Sequence, residues 1–230
     1  MKIKQIGNGS GLNVNETNSS FLIEANDELL LIDCGFNVPQ KLFEMHKNNE
    51  IDITKLKNVF ITHGHSDHFG GLETLIFKMY FEYNIVLHIG LPSTECLAQI
   101  RLLNKIYESS SIKSRKLTHS FMYANNETLK NLSITSFENN HKVIESYGFI
   151  IKDNNLKSIA ISGDTKAFCE FEELSKDCDL IYHDFSKWDC PSRNVHACKS
   201  DIEAEYTKEF INRLKFYHND ETFDTKWINV

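Results

Sequence analysis

The sequence predicts an α/β fold, α+β in the grouping of its elements, with two β-sheets packed face to face and helices on the outer faces. Strand-like runs come first as a group, and helical and strand-like segments then follow one another, with no Pro- or Gly-rich linker between the halves. At 230 residues, 41% hydrophobic and 25% charged, the chain can bury one sizeable core and has an ordinary globular composition. Residues 1–230 are therefore expected to form one domain.

In chain order, Lys2–Ile6, Phe21–Glu24, Leu29–Ile32 and Val59–Thr62 are short β-type runs, with Asn8-Gly9-Ser10-Gly11 and Asn26-Asp27-Glu28 marking turns between some of them. Lys41–Lys47, Leu72–Phe81, Thr94–Tyr107, Phe168–Ser175 and Ser200–Phe216 carry apolar positions at helical spacing. Ile85–Ile89, Lys130–Phe137, Gly148–Lys152, Ser158–Ser162 and Leu180–His183 read as strands. The polar, locally basic stretch Ser109–Lys116 reads as a solvated loop.

An excess of 32 acidic over 25 basic residues gives a formal charge of −7 with histidines neutral. That charge argues against capture of a long nucleic-acid backbone and favours a small molecule or short nucleotide as substrate. No run approaches the roughly 18 apolar residues needed to span a bilayer, so no membrane partner is expected. The N-terminal segment lacks the apolar stretch of a secretory signal, and a cytoplasmic protein is expected. The six cysteines are scattered without a C-x-x-C pair, so reduced thiols are the default.

The ten histidines are the unusual feature, and four potential metal ligands fall within six residues in Thr62-His63-Gly64-His65-Ser66-Asp67-His68. An apolar strand precedes them, and Gly70-Gly71 and an amphipathic segment follow. Imidazole and carboxylate suit a borderline divalent ion such as zinc. In an extended turn His63 and His65 can project to one side while Asp67 and His68 turn to a second position, so the loop can serve two ions. Ionisable groups packed this tightly would repel or desolvate one another without a cation to share.

This segment resembles the metal-binding signature of the metallo-β-lactamase-fold superfamily. The resemblance implies a four-layer αββα sandwich with a one- or two-metal site where the two sheets meet. It also implies further ligands in a fixed order: a lone histidine, found as His141 after Asn139-Asn140; a bridging aspartate, found as Asp164 in Gly163-Asp164-Thr165; and a last histidine, found as His218 after Lys215-Phe216-Tyr217. By that resemblance His63, His65 and His141 bind one metal, Asp67, His68 and His218 the other, and Asp164 bridges. The implied cofactors are two divalent ions, zinc first with manganese or iron as alternatives, sharing an activated hydroxide for hydrolysis. Flavodiiron oxygen reductases are similar but carry a carboxylate where this chain has His65.

Tyr182-His183-Asp184-Phe185, then Asn194-Val195-His196-Ala197-Cys198, then a helix with Glu203-Ala204-Glu205 resembles the ribonuclease Z group of phosphodiesterases. The resemblance makes His196 the general acid for the leaving oxygen, Asp184 its orienting partner and Asp67 a catalytic as well as a ligating residue. Aspartate stands where that group has glutamate, and Ala197-Cys198 replaces Ser-Thr. Ile6-Gly7-Asn8-Gly9-Ser10-Gly11, Asn18-Ser19-Ser20 and Leu31-Ile32-Asp33-Cys34-Gly35 also match the group's opening, which makes Asp33 an outer support for the ligand loop. Taken alone, Gly7–Gly11 reads as a plain β-turn.

The tRNA-processing members insert a Gly- and basic-rich arm between the lone histidine and the bridging aspartate or nearby, and the interval from His141 to Asp164 leaves no room for one. The expected function is therefore a metal-dependent phosphodiesterase for small or cyclic phosphodiesters and nucleotides. The alternatives are a carboxylic ester, thioester or lactone hydrolase, a tRNA 3′-end endonuclease and a non-catalytic binding module. The chain is compatible with a homodimer. Phe77–Tyr83 reads as helix packed on core, and His46, His88, His119 and His183 as ordinary surface or core histidines. Thr74–Tyr83 and Ser109–Tyr123 are the loops expected to set the substrate.

Overall fold

The computed structural model describes residues 1–91, 118–121, 127–129, 132–187 and 195–230. The expected helix Thr94–Tyr107, the stretch Ser109–Lys116 and most of Ser109–Tyr123 lie outside the described residues.

The first sheet holds β1 (Lys2–Gly7), β2 (Ser20–Ala25), β3 (Glu28–Ile32), β4 (Leu56–Phe60), β5 (His88–Leu91), β6 (Thr118–Phe121) and, at its other edge, β13 (Ile228–Asn229). Among the described residues its seven strands run in the order β13-β1-β2-β3-β4-β5-β6. The second has six: β7 (Glu127–Leu129), β8 (Leu132–Glu138), β9 (Tyr147–Asp153), β10 (Ser158–Ile161), β11 (Leu180–Asp184) and β12 (Leu214–Tyr217), in the order β12-β11-β10-β9-β8-β7. Each begins as antiparallel meander and ends in parallel pairing, β3-β4-β5-β6 in one and β10-β11-β12 in the other. Parallel strands direct their carboxyl ends to one edge, where ligand sites of open α/β sheets form.

Strand periodicity builds the layers. Along β2, Phe21 and Ile23 face the second sheet while Leu22 faces outward; along β3, Leu30 and Ile32 face inward while Leu29 and Leu31 face outward. On the opposite sheet, Phe149, Ile151, Ile159 and Ile161 meet them, and Ile150 and Ala160 point out. These strands read as continuous apolar runs because both faces are covered. Each fully buried Leu, Ile or Phe contributes roughly 1.5–3 kcal/mol of transfer free energy. Aromatic packing pins the interior, with Phe21 edge-on to Tyr182 (4.8 Å) and Tyr217 (5.1 Å) and Phe60 edge-on to Phe149 (6.0 Å).

On the outer face of the first sheet, α1 (Val38–Lys47) buries Val38, Leu42 and Met45, and α3 (Leu72–Tyr83) buries Leu72, Leu75, Ile76 and Met79. Helix α1 starts earlier than its periodicity suggests, because Pro39 suits a first turn. Asn84, left-handed at φ 55°, closes α3. Thr74–Tyr83, expected as a loop that sets the substrate, lies within helix α3, whose aromatic run packs as expected at Phe77 and Tyr83, whereas Phe81 is exposed. On the other face, α4 (Cys169–Ser175), α5 (Lys199–Glu205) and α6 (Lys208–Ile211) contribute Phe171, Ile202 and Phe210. The result is a four-layer αββα arrangement.

The expected single helix Ser200–Phe216 is instead α5, α6 and β12. Tyr206 takes extended angles (φ −112°, ψ 151°) and turns its buried ring inward, and Thr207 caps the next helix by accepting from Phe210 N at 3.2 Å. Leu214–Tyr217 then pairs with Ile181–Asp184, so tertiary pairing overrides helical spacing. Smaller differences are the strand expected at Val59–Thr62, which is Leu56–Phe60, and that at Ile85–Ile89, which is His88–Leu91. Among the described residues no helix is long and apolar enough to cross a membrane.

Candidate metal centre

Thr62, His63, His65, Asp67 and His68 lie where β4 gives way to a loop and the single helical turn α2 (Ser66–Phe69). Asp33, at the end of β3, shapes the loop from beneath. Its Oδ1 accepts from Thr62 N at 2.7 Å, and its Oδ2 meets His68 Nδ1 at 2.7 Å. Thr62 Oγ1 touches Asp33 Oδ2 (2.9 Å) and His63 Nδ1 (3.0 Å). Phe69 N closes the turn on His65 O at 2.9 Å, which places Asp67 and His68 beside one another on the inner side.

The second sheet supplies most of the remaining groups from the ends of four strands. His141 follows β8, Asp164 follows β10, Asp184 ends β11 and His218 follows β12. Gly163 has φ +67° and a Cβ there would lie 2.4 Å from Tyr147 O, so only glycine lets the chain turn Asp164 into the centre. Asn139 Nδ2 donates to Ser162 O at 2.5 Å, and Ser146 Oγ donates to Asp164 O at 3.0 Å, fixing the backbone on either side of that glycine.

The structure brings all the sequence-predicted site residues to one place. Ligand-capable atoms of His63, His65, His141 and Asp164 lie within 4.8 Å of one another, as do those of Asp67, His68, Asp164 and His218, and those of Asp164, Asp184, His196 and His218. His63 Nε2 is 3.0 Å from His65 Nδ1, and His68 Nε2 is 3.3 Å from His218 Nε2, 3.2 Å from Asp164 Oδ1 and 3.5 Å from Asp67 Oδ2. His218 Nε2 stands 3.2 Å from Asp67 Oδ2.

Several rings are held by the nitrogen that faces away. His63 Nδ1 meets Thr62, His68 Nδ1 meets Asp33, and His141 Nδ1 lies 3.2 Å from Ile144 O. Their Nε2 atoms converge; His141 Nε2 and Asp164 Oδ1 are buried without a hydrogen-bond partner among the described residues. Rings anchored on the far nitrogen, with near nitrogens facing one another and an orphaned carboxylate oxygen between them, form a donor set that a divalent cation satisfies. The residues therefore fit the metals that the fold implies.

The carboxylates draw positive charge, a proton or a cation, into the cluster. Burial, then neighbouring His68, holds His63 well below the usual histidine range. Burial also opposes charge on His68, but the carboxylates of Asp164, Asp33 and Asp67 overcome it and hold that ring well above the range. One ring is thus pressed neutral and one pressed charged with centroids 4.2 Å apart. Asp164 is held well below the carboxylate range, since His218, His68, His196 and His63 around it outweigh its burial.

At the edge of this cluster His196 Nδ1 meets Asp184 Oδ2 at 2.8 Å, and the ring stacks on His218 at 4.9 Å. Asp184 is fully buried and anchored, its Oδ2 accepting from Thr165 N at 2.9 Å, whereas the His196 side chain keeps 27% exposure. Burial lowers His196, but Asp184 and Asp164 win and raise it to about 10. His183 points away, meeting Tyr206 Oη at 2.7 Å and Asp184 O at 2.6 Å, a satisfied core histidine as expected. Cys198 is buried beside Ser200 Oγ at 3.1 Å. Sequence reasoning overlooked Thr62 as a brace, although it opens the signature, and Asn139 and Ser146, whose roles depend on strand neighbours.

A family profile described as Anti-Pycsar protein Apyc1 matches residues 1–228. The chain is 31% identical over 110 residues to the Anti-Pycsar protein Apyc1 of Paenibacillus xerothermodurans, covering 48% of this chain and 40% of that protein. It therefore spans less than half the length of that relative in the match. Against the protein of the same description from Bacillus phage 010DV004 it is 26% identical over 257 aligned positions, covering 98% of this chain and 93% of the other. Among solved structures it is similar to the metallo-β-lactamase fold protein YhfI from Bacillus subtilis (TM-score 0.76, 23% identity, 95% of this chain and 86% of that one). It is also similar to human tRNase Z, short form (TM-score 0.73, 18% identity, 100% and 99%). These likenesses show the metallo-β-lactamase fold, and the match over nearly the whole length shows that the chain belongs to the Anti-Pycsar protein Apyc1 family.

Proposed function

We propose that this protein is a metal-dependent phosphodiesterase that hydrolyses small cyclic or short phosphodiesters, including cyclic nucleotides. The observation that carries the reading is the His196–Asp184 pair, 2.8 Å apart and seated against the Asp164 and His218 end of the donor cluster. A thioester hydrolase could use the same cluster but has little need of such a pair, because a thiolate departs without a proton. Membership in the anti-Pycsar family supports a hydrolase of cyclic phosphodiesters.

In this reading His63, His65 and His141 would hold one divalent ion and Asp67, His68 and His218 a second, with Asp164 shared. Bound ions of this kind supply Lewis-acid polarisation of phosphoryl oxygens and acidification of water. Asp67, whose carboxylate burial opposes but His68 and His218 hold far below the usual range, stays charged and orients the attacking water. Asp184 fixes His196 with Nδ1–H toward the carboxylate, which leaves the Nε2 proton for the departing oxygen. As the water oxygen bonds phosphorus and releases its proton to solvent, the ester P–O bond breaks, the His196 proton passes to the leaving ribose oxygen, and His196 recovers one from solvent.

Turnover tests this directly. Protein loaded with Zn or Mn should hydrolyse a 3′,5′-cyclic mononucleotide and bis-(p-nitrophenyl) phosphate and should carry about two ions per chain. Activity confined to thioesters or lactones would move the protein to the ester-hydrolase reading.

A further inference from the structure

The glycine-rich segment after β1 is not the plain turn that its sequence suggests. Asn8 N and Gly9 N both donate to Thr17 O, at 3.0 and 2.8 Å, and Ser19 N donates to Gly9 O at 3.0 Å, so the segment is laced to the start of β2. Its free side meets the loop that carries His218. The Asn8 side chain, 2% exposed, uses every polar position it has. Oδ1 accepts from His218 N at 2.7 Å and from Gln5 Nε2 at 3.0 Å, and Nδ2 donates to Asn219 Oδ1 at 2.6 Å and Glu221 O at 2.9 Å. His218 itself sits at φ +64°, a conformation that a histidine keeps only when its surroundings impose it.

Three residues on, the same segment reaches Asp67, the carboxylate of the half-site that includes His218. A Cβ on Gly11 would lie 3.0 Å from Asp67 Cγ and Oδ2 and 3.1 Å from Oδ1. One laced segment therefore backs both Asp67 and His218, whose ligand atoms are 3.2 Å apart. His63 and His141 are braced elsewhere, by Thr62 and by Ile144.

We propose that Asn8 is a positioning residue that holds His218 in its left-handed conformation and thereby, with Gly11 behind Asp67, sets the affinity of one ion of the pair and not the other. This rests on the reading that Asp67, His68 and His218 hold a divalent ion. The clamp acts on the ligand backbone, so removing it weakens one site while the His63, His65 and His141 site keeps its ion.

Zinc content after equilibration against a competing chelator, together with the visible spectrum of the Co(II)-substituted protein, tests the inference without relying on activity. Wild type should retain two ions. Asn8→Ala should retain one, its second site weakened roughly 10–100-fold as outer supports of metal ligands generally are. Asn8→Asp keeps the acceptor for His218 N but turns a carboxylate oxygen toward Asn219 Oδ1 and Glu221 O, so it should bind the second ion more tightly than Asn8→Ala and less tightly than wild type. Gly11→Ala places a methyl 3.0 Å from the Asp67 carboxylate and should weaken the same site. Leu12→Ala, at a position 88% exposed, should change nothing. Wild type that binds no ion overturns the underlying metal reading. Wild type with two ions and Asn8→Ala with two at unchanged affinity, or with none, overturns this inference. If circular dichroism shows Asn8→Ala unfolded, Gly11→Ala decides, and unchanged zinc affinity there overturns it.

Discussion

The two sheets build their shares of the centre in opposite ways. The first contributes His63, His65, Asp67 and His68 from one loop whose shape is set within a few residues, by the helical turn α2 and by Asp33 beneath it. The second contributes Asp164, Asp184 and His218 from three parallel strands, so their separations are set by strand spacing and register. A local motif thus docks on a distributed one. Damage to the loop stays in the loop, whereas anything that shifts the second sheet moves several groups together.

The severest test removes the one side chain shared by the three ligand-capable groups. Asp164→Ala should strip both ions and lower turnover by several orders of magnitude while leaving the circular dichroism spectrum intact. Asp67→Ala should also cut turnover severely, and a variant keeping a tenth of the wild-type rate at matched metal content would contradict its role. His196→Ala comes next. It should slow hydrolysis of a cyclic nucleotide by about 10²–10⁴, where the leaving alkoxide needs a proton, yet spare bis-(p-nitrophenyl) phosphate, with metal content unchanged. Equal losses on both substrates would make His196 a ligand or a positioning residue.

A third test probes how far the distributed half depends on packing. Phe149 fills the interior between the sheets, and Phe149→Ala should destabilise the fold by about 3–5 kcal/mol in urea unfolding. Its remaining folded fraction should bind zinc less tightly than wild type, a loss that a purely local centre would not show. The smallest effect concerns His183, behind the second sheet. Burial holds it below 6.5, against hydrogen bonding and charge from Asp184, so the unfolded chain takes the proton first. Its contribution is fully present above about 6.5 and lost as pH falls toward the folded value. The urea midpoint of wild type should therefore drop more between pH 7.5 and 5.5 than that of His183→Gln.

The same contrast decides what can be read from sequence. The loop His63–His68 is legible because ligands that share a turn are close in sequence. Asp164, Asp184, His196 and His218 are recognised only through a family resemblance, since no local rule connects residues on separate strands. The inner strands are legible as apolar runs. Leu214–Tyr217 was expected as helix, because nothing within the segment reveals that Ile181–Asp184 waits beside it. Asn8 carries no signal for the same reason: it reaches His218 across 210 positions of chain, and an amide in a glycine-rich turn has many ordinary uses.

The meeting of His68 with His218, 150 positions apart, also orders events in time. A ribosome adding roughly 5–20 residues per second makes the first histidines about 8–30 s before the last. For that interval the nascent chain carries an open cluster of imidazoles with no closing partner. Completion of the centre is therefore among the last acts of biosynthesis, timed by the arrival of β12.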